Sequence, residues 1–215
     1  MALRRLIKHP SLIERTQREA ANGHRAAVVW FTGLPGSGKS TLAHKVERQL
    51  FETGYQAFVL DGDNIRHGLS ADLGFSAEHR DEHLRRVGEL AKLLYDAGMI
   101  VLCAFVSPDR AHRSKVRELL PADVFFEVHC QCPADVCAQR DAKGFYAEAK
   151  AGKIADYTGV SAGYQEPANP ELTLDTARTP VEECAIRVLR MLQKDGVIKT
   201  IAAAPDPQSA GRIRA

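Results

Sequence analysis

No run of about 18 apolar residues occurs in the 215-residue sequence, which leaves no candidate for a membrane-spanning helix. The opening stretch MALRRLIKHPSLIERTQREA is basic but lacks the apolar centre of a secretory signal, and Glu14 and Glu19 are out of place in a transit peptide. The cytoplasm is the expected compartment. Nor is there an excess of charge: a net charge of +2 is too small for the diffuse positive field of a nonspecific nucleic-acid binder, so neither nucleic acid nor a membrane is an expected partner. Cysteine is sparse, with five in the chain. Cys130 and Cys132 would share one face of a strand at a spacing near the upper limit for a disulfide. Together with His129 and Cys137 they match no common zinc pattern, so reduced core thiols and no structural metal are expected. What is present is 45% apolar and 26% charged residues, the balance of one folded domain with a sizeable core.

The apolar residues fall into two alternating patterns. Ser11, Glu14 and Asn22-Gly23 read as the cap, capping box and stop of a short helix, within an N-terminal extension over residues 1–24. AAVVWFT (26–32) is an unbroken apolar run of strand length, and STLAHKVERQLFETG carries Leu42, Val46, Leu50 and Phe51 at helical spacing. QAFVLDGD is a second strand ending in acids, followed by HLRRVGELAKLLYDAG, a helix with Leu84, Val87, Leu90, Ala91 and Leu94 on one stripe. MIVLCAFVS, VFFEVHC and the weaker ELTLD (171–175) complete the strands. A helix is expected to open at Ser107-Pro108, and a last one runs from Pro180 to about Lys194 with Cys184, Val188, Leu189 and Leu192 turned inward.

Apolar strands without alternation, separated by helices, predict an α/β fold of three layers: a parallel sheet of about five strands flanked by helices, within residues 25–198. Residues 141–170 are rich in Gly, Lys, Ala and Tyr, with at most one short helix near FYAEAKAG, and read as a lid. Residues 199–215 read as a flexible tail.

GLPGSGKS, Gly33 to Ser40, fits the GxxxxGKS phosphate-loop pattern between an apolar strand and an amphipathic helix, the context that pattern requires. The glycines let backbone N–H groups turn toward phosphate oxygens, and the helix starting near Lys39 adds the positive end of its dipole. Lys39 is expected to reach the β- and γ-phosphates of ATP, and the Ser40 hydroxyl to ligate Mg²⁺. Asp61 and Asp63 end the second strand at the carboxyl edge of the sheet, where α/β folds place ligands. If strand geometry persists, both point toward the phosphates, one as base and one toward the metal; the plainer reading is a helix cap and turn. Arg66, Arg80, Arg85 and Arg86 bring positive charge to that edge, Arg66 best placed for an anionic substrate. Ser107 reads as the N-cap of the next helix, as an active-site hydroxyl, or as both.

At these residues the chain resembles the adenylylsulfate kinase family, over about His24 to Ile198. The resemblance is carried in order by GLPGSGKS, LDGDNIRHGLSADLGFS with Arg80 after it, LRRVGELAKLLYDAG, AFVSP, RDAKGFYAEAKAGKI and YTGVSAGYQEP. It implies a P-loop kinase that phosphorylates the 3′-hydroxyl of adenosine 5′-phosphosulfate (APS) in sulfate activation, with ATP and Mg²⁺. By that resemblance Gly33, Leu34, Pro35, Gly36, Ser37, Gly38, Lys39, Ser40, Thr41 and Arg140 would hold ATP. Asp61, Arg66, Phe75, Arg80, His83, Lys143 and Phe145 would hold the acceptor, with Phe145 closing over its adenine. Asp63 would be the base, and the serine at Ser107 is one discussed in the family as a phosphoserine. A homodimer and a separate sulfate adenylyltransferase are the implied partners. The chain departs from the family's pattern at His83 (usually Asn), Ala104 (Ser), Asp109 (aromatic or His) and Ser161-Ala162 (Asp-Ser), all on the acceptor side. Competing readings are a P-loop small-molecule kinase with another hydroxyl acceptor, and a nucleotide-dependent binding switch. DAKG at 141–144 imitates the switch's DxxG, but no NKxD for guanine is present.

Overall fold

An apolar run with no polar alternation is stable as a strand only where both faces are covered, and β1 (Ala27–Thr32) meets that condition. In the computed structural model, which describes residues 7 and 9–201, every residue of β1 is buried. Its side chains alternate between two cores. Ala27, Val29 and Phe31 pack with Leu42, Val46 and Leu50 of α2 (Lys39–Glu52) and with Val188, Leu189 and Leu192 of the last helix. Val28 and Trp30 pack on the other side against Leu84, Val87 and Ala91 of a long helix and Val116 of the next.

In chain order the elements are α1 (Arg15–Asn22), β1, α2, β2 (Ala57–Asp61), α3 (Gly62–Arg66), α4 (Ala77–Asp96), β3 (Ile100–Ala104) and α5 (Arg110–Arg117). There follow β4 (Phe125–Gln131), α6 (Ala134–Gln139), α7 (Phe145–Lys150), β5 (Leu172–Asp175) and α8 (Val181–Lys194). All strand pairs are parallel, in the order β2-β3-β1-β4-β5. This is the expected five-strand α/β architecture, with β1 central and the strand order reversing beside it. Ligands of open α/β sheets bind at such a switch point, off the carboxyl ends of the strands. No helix among the described residues is long and apolar enough to cross a membrane.

Several local expectations are corrected. The first helix is capped at Glu14, not Ser11; Gln17 Oε1 accepts from the Glu14 N–H at 2.8 Å. Phe51, placed on the buried stripe of α2 by its period, is 78% exposed: Leu50 beside it in the last turn is the residue that faces the core, and one helical step of about 100° turns Phe51 away. The helix expected at Ser107 begins at Arg110 with Asp109 as its N-cap residue. Cys132 lies past the end of β4, so it does not share a strand face with Cys130; all five cysteines are free and buried. Of the expected tail, residues 199–201 are anchored: the Tyr55 hydroxyl accepts from the Lys199 and Thr200 N–H groups, and Ile201 packs on the α2/α8 core. Residues 202–215 of that tail, and residues 1–6 and 8 of the N-terminal extension, lie outside the described residues.

Candidate active site

The turn after β1 needs backbone conformations that side chains resist. Gly33, Gly36 and Gly38 all have positive φ, and a Cβ at Gly33 would stand 2.5 Å from the Cys130 carbonyl oxygen, one at Gly36 2.7 Å from that of Cys137. The loop is thus pressed against β4 and α6, which hold its curvature. Lys39, the first residue of α2, folds back into it. Its ammonium donates to the Gly33 and Leu34 carbonyl oxygens at 3.0 and 2.7 Å and approaches Ser37 Oγ at 3.4 Å. Lys39 is only 7% exposed, and burial pushes its pKa down to about 8, against the opposing influence of neighbours that include Asp61 and Asp63. The lysine is held ready by carbonyl dipoles where a phosphate would supply full negative charge.

The loop forms one end of a cleft of about 1230 Å³. Pro35, Gly36, Gly38, Lys39, Ser40 and Thr41 line it; Gly33, Leu34 and Ser37 instead form the back of the loop that receives Lys39. Arg140, at the end of α6, also lines the cleft and donates to the Thr176 and Ala177 carbonyl oxygens at 3.0 and 3.4 Å. Thr176 Oγ1 donates to the Ser37 carbonyl at 2.8 Å, so the segment after β5 is bolted to the phosphate loop. Residues 176–179 were missed from the sequence, though their position at the carboxyl end of a strand marks them.

The two acids separate. The chain does not continue as a strand past Asp61: α3 starts at Gly62, and Asp61 caps it, accepting from the Asp63 N–H at 3.0 Å. The plainer reading of Asp61 as a cap is therefore right, but its other oxygen accepts from Ser40 Oγ at 2.5 Å. Asp63, swung onto the first turn of α3, pairs with Lys143 from the lid. The strand geometry assumed for the pair ends between them, yet both residues line the same cleft and both act on Lys39.

Arg66 and Arg80 both line the cleft, near enough for the charge of one to act on the other. Arg66 donates to the Leu73 and Gly74 carbonyl oxygens and lies 4.5 Å from the centre of the Phe75 ring; Arg80 donates to the Asp156 carbonyl oxygen at 2.5 Å and approaches Thr158 Oγ1 at 3.4 Å. Neither forms a carboxylate ion pair among the described residues. Burial first, and the Arg80 charge second, hold Arg66 below its ordinary pKa. Two cations left without a carboxylate partner beside a cleft are an arrangement suited to an anion. Arg85 and Arg86 do not belong to it: Arg85 pairs with Glu82, and Arg86 with Glu82 and Asp72, bracing the loop before α4.

His83 is buried in the same part of the cleft, edge-on to Phe105 with ring centres 5.6 Å apart, and its Nδ1 has no hydrogen-bond partner among the described residues. Burial, then the charges of Arg66 and Arg86, push its pKa down to about 4, so the ring is neutral near pH 7. Phe75 and Phe145 line the cleft and are exposed, Phe75 the more so. Ser107 is not a helix cap. It sits at φ 38, with its hydroxyl accepting from Trp30 Nε1 at 3.0 Å and donating to Thr32 Oγ1 at 3.0 Å.

Residues of the 141–170 segment, from Asp141 to Thr158, line the cleft. Tyr146 of α7 donates its hydroxyl to the Pro35 carbonyl at 2.8 Å, and Gly159 packs so closely that a Cβ would lie 3.1 Å from Leu34. The segment reaches the phosphate loop at these points, Asp63 through Lys143 and Arg80 through Asp156.

Comparison with known proteins accords with this geometry. A family model described as adenylylsulphate kinase matches residues 25–175. An adenylyl-sulfate kinase of Acaryochloris marina is 49% identical over 198 residues, covering 92% of this chain and 97% of the relative. An APS kinase of Mycobacterium tuberculosis, solved in complex with AMPPNP and APS, superposes with a TM-score of 0.75 at 49% identity, over 79% of this chain and 99% of that one. A hexameric APS kinase from Thiobacillus denitrificans superposes with a TM-score of 0.63 at 32% identity, over 86% of this chain and 31% of that one, so a homodimer is not the one assembly among such proteins. With a matching family model over most of its length and a relative near half identity across almost all of it, this chain belongs to the adenylylsulphate kinase family.

Proposed function

We propose that the chain transfers the γ-phosphoryl group of ATP to the 3′-hydroxyl of APS, giving 3′-phosphoadenosine 5′-phosphosulfate and ADP. The observation that carries the reading is the distribution of charge along one cleft: a lysine-bearing phosphate loop at one end, two arginines without carboxylate partners at the other, and Asp63 between. The loop N–H groups and Lys39 hold the β- and γ-phosphates. Arg66 and Arg80 hold the phosphosulfate, Phe75 and Phe145 cover the purine, and the Nδ1 of His83 offers a polar contact to the acceptor. Asp63 accepts the proton of the attacking hydroxyl as the O–P bond forms and ADP leaves.

Ser40 and Asp61 suit a Mg²⁺ ion: their oxygens already meet, and Mg²⁺ needs few protein ligands because water and phosphate oxygens complete its shell. When bound, the ion neutralises charge on the β- and γ-phosphate oxygens. A homodimer in the cytoplasm, supplied with APS by a separate sulfate adenylyltransferase, is the proposed setting.

The test is a panel of acceptors, APS, gluconate, shikimate and adenosine, each incubated with ATP and Mg²⁺ and then with excess chelator, with products identified by mass spectrometry. Phosphate at the ribose 3′ position of APS, lost in chelator, is expected. Far more efficient phosphorylation of another acceptor would mean that His83, Ala104 and Asp109 have remade the pocket.

Ser107 allows a separate check on direct transfer. Its hydroxyl is already engaged by Trp30 and Thr32, which suits it to shaping the cleft rather than to attacking phosphate. Ser107→Ala leaves the Trp30 N–H without its acceptor and is expected to cost about 1–3 kcal/mol of stability. Turnover should stay within about tenfold of wild type, since in-line transfer needs no serine nucleophile. Denaturation curves and steady-state kinetics on the same preparation decide it; a folded variant slowed by several orders of magnitude, with phosphate trapped on the wild-type serine, would establish a covalent route.

A further inference from the structure

Arg113 is 3% exposed and reads in the sequence as one more charge in RAHRSKVR, yet its guanidinium is shared among three separate segments. Nε donates to Glu127 of β4 at 2.6 Å, Nη1 to the Ser107 carbonyl oxygen at 2.6 Å, and Nη2 to the Gln165 carbonyl oxygen at 2.7 Å. Ser107 belongs to the cleft wall and Gln165 to the limb by which the lid returns to the sheet. We infer that Arg113 is a positioning residue for phosphoryl transfer: its guanidinium joins the Ser107 wall to the returning limb of the lid and so sets the geometry of the acceptor half of the cleft.

Two features support this. The first is backbone conformation. Ser107 is one of two described non-glycine residues with positive φ, a conformation that persists only where surrounding contacts over-determine it. The Arg113 bond to its carbonyl and the Trp30 and Thr32 bonds to its hydroxyl are those contacts. The second is the chemistry of the hub. A buried ion pair is weak evidence of a stabilising role, because an apolar pair of similar volume often serves as well or better. No apolar side chain, however, donates to two carbonyl oxygens on different segments. A planar fork of N–H groups does so with one fixed geometry.

The lid limb is tied to the same place by its own bonds. The Gln165 N–H donates to the Pro108 carbonyl at 2.9 Å, and Arg110 Nε to the Glu166 carbonyl at 2.5 Å. Tyr164 stacks on His129, and its hydroxyl meets Thr32 Oγ1 at 3.0 Å. Thr32 thereby touches both Ser107 and the lid limb, and the Arg113 guanidinium lies 5.7 Å from the centre of the same Tyr164 ring. Glu127 keeps a second cation, Arg117, at 3.7 Å, so the carboxylate is not abandoned when Arg113 alone is changed.

The inference rests on the kinase reading above, and its test separates the two. Arg113→Met with Glu127→Leu removes both charges, keeps the volume and leaves no unpaired ion. Arg113→Lys keeps a cation beside Glu127 but loses the three-way fork. Nucleotide affinity is read with an ATP analogue, and kcat and KM for APS by steady-state assay. Both variants are expected to bind nucleotide within about threefold of wild type while kcat/KM for APS falls about 100-fold, the scale of an ångström-level misplacement. Failure of the wild-type protein to phosphorylate APS would sink the kinase reading without touching the variants. A folded Arg113→Lys protein that keeps kcat/KM for APS within about threefold of wild type overturns the positioning role, whether or not the double variant folds. Equal losses in nucleotide and acceptor parameters overturn it as well, since they mark general loosening of the fold.

Discussion

Lys39→Ala is expected to lower turnover by at least about 10²–10³-fold, the loss typical of removing one preorganised donor to developing negative charge, while the protein remains folded. The fold should survive because the ammonium is a burden in the nucleotide-free protein. It is buried, its pKa is lowered to about 8, and its partners are carbonyl oxygens and a hydroxyl rather than a paired carboxylate. The sign of the pH effect follows. Between about 8 and the ordinary 10.5 the unfolded chain holds this proton and the folded one does not, so the lysine's contribution to stability rises with pH through that window. Phosphate reverses the preference by favouring the charged form. Nucleotide binding above pH 8 should therefore take up a proton and weaken as pH rises. Calorimetry in buffers of different ionisation enthalpy measures that uptake, and Lys39→Ala should abolish it. An alanine variant with more than about a tenth of wild-type turnover would remove Lys39 from the stabilisation of transferring charge.

Asp63→Asn is expected to reduce kcat by about 10²–10⁴-fold, the usual range for a general base, with KM for ATP nearly unchanged. The family resemblance implied Asp63 as the base, and the geometry favours it over Asp61. Asp61 is buried and spends its oxygens on Ser40 and on the Asp63 N–H, whereas the Asp63 carboxylate lines the cleft and, among the described residues, meets Lys143 alone. Asparagine is nearly the same shape, and the backbone bond from residue 63 to Asp61 is untouched, so α3 should keep its start. The Asp63 to Lys143 pair is exposed on both sides and carries little stability; it puts a cation from the 141–170 segment beside the proposed base. Rate measurements on Asp63→Asn and Asp61→Asn side by side decide the assignment. Near-normal turnover in the first would remove the base role from Asp63, whereas loss in the second is expected from the metal and capping roles of Asp61 alone.

The limits of reading by sequence show at particular residues. Phe51 is apolar and stands next to the core residues of α2, but one helical step of about 100° from the buried Leu50 turns it toward solvent. Ser107 before a proline has the local signature of a cap. The hydroxyl is instead claimed by Trp30 from a strand 77 positions away, and the helix starts three residues later. α6 is six residues long, too short for its period to stand out, yet it carries Cys137 against Gly36 and Arg140 into the cleft. Arg113 and Arg85 look alike in the sequence; one is a buried hub and the other a surface partner of Glu82.

The sequence by itself determined the parallel sheet and the phosphate loop, because both rest on short-range rules. Strands buried on two faces must be apolar throughout, and a loop that wraps phosphate must have glycine where φ is positive. Only the tertiary structure decided which charged groups meet: Ser40 with Asp61, Asp63 with Lys143, Arg113 with Glu127, Ser107 and Gln165. These partners come together through crossovers that set β3 beside β1 and fold residues 141–170 back over the sheet edge. No local preference of the chain encodes that closeness, because it depends on where whole strands and helices pack.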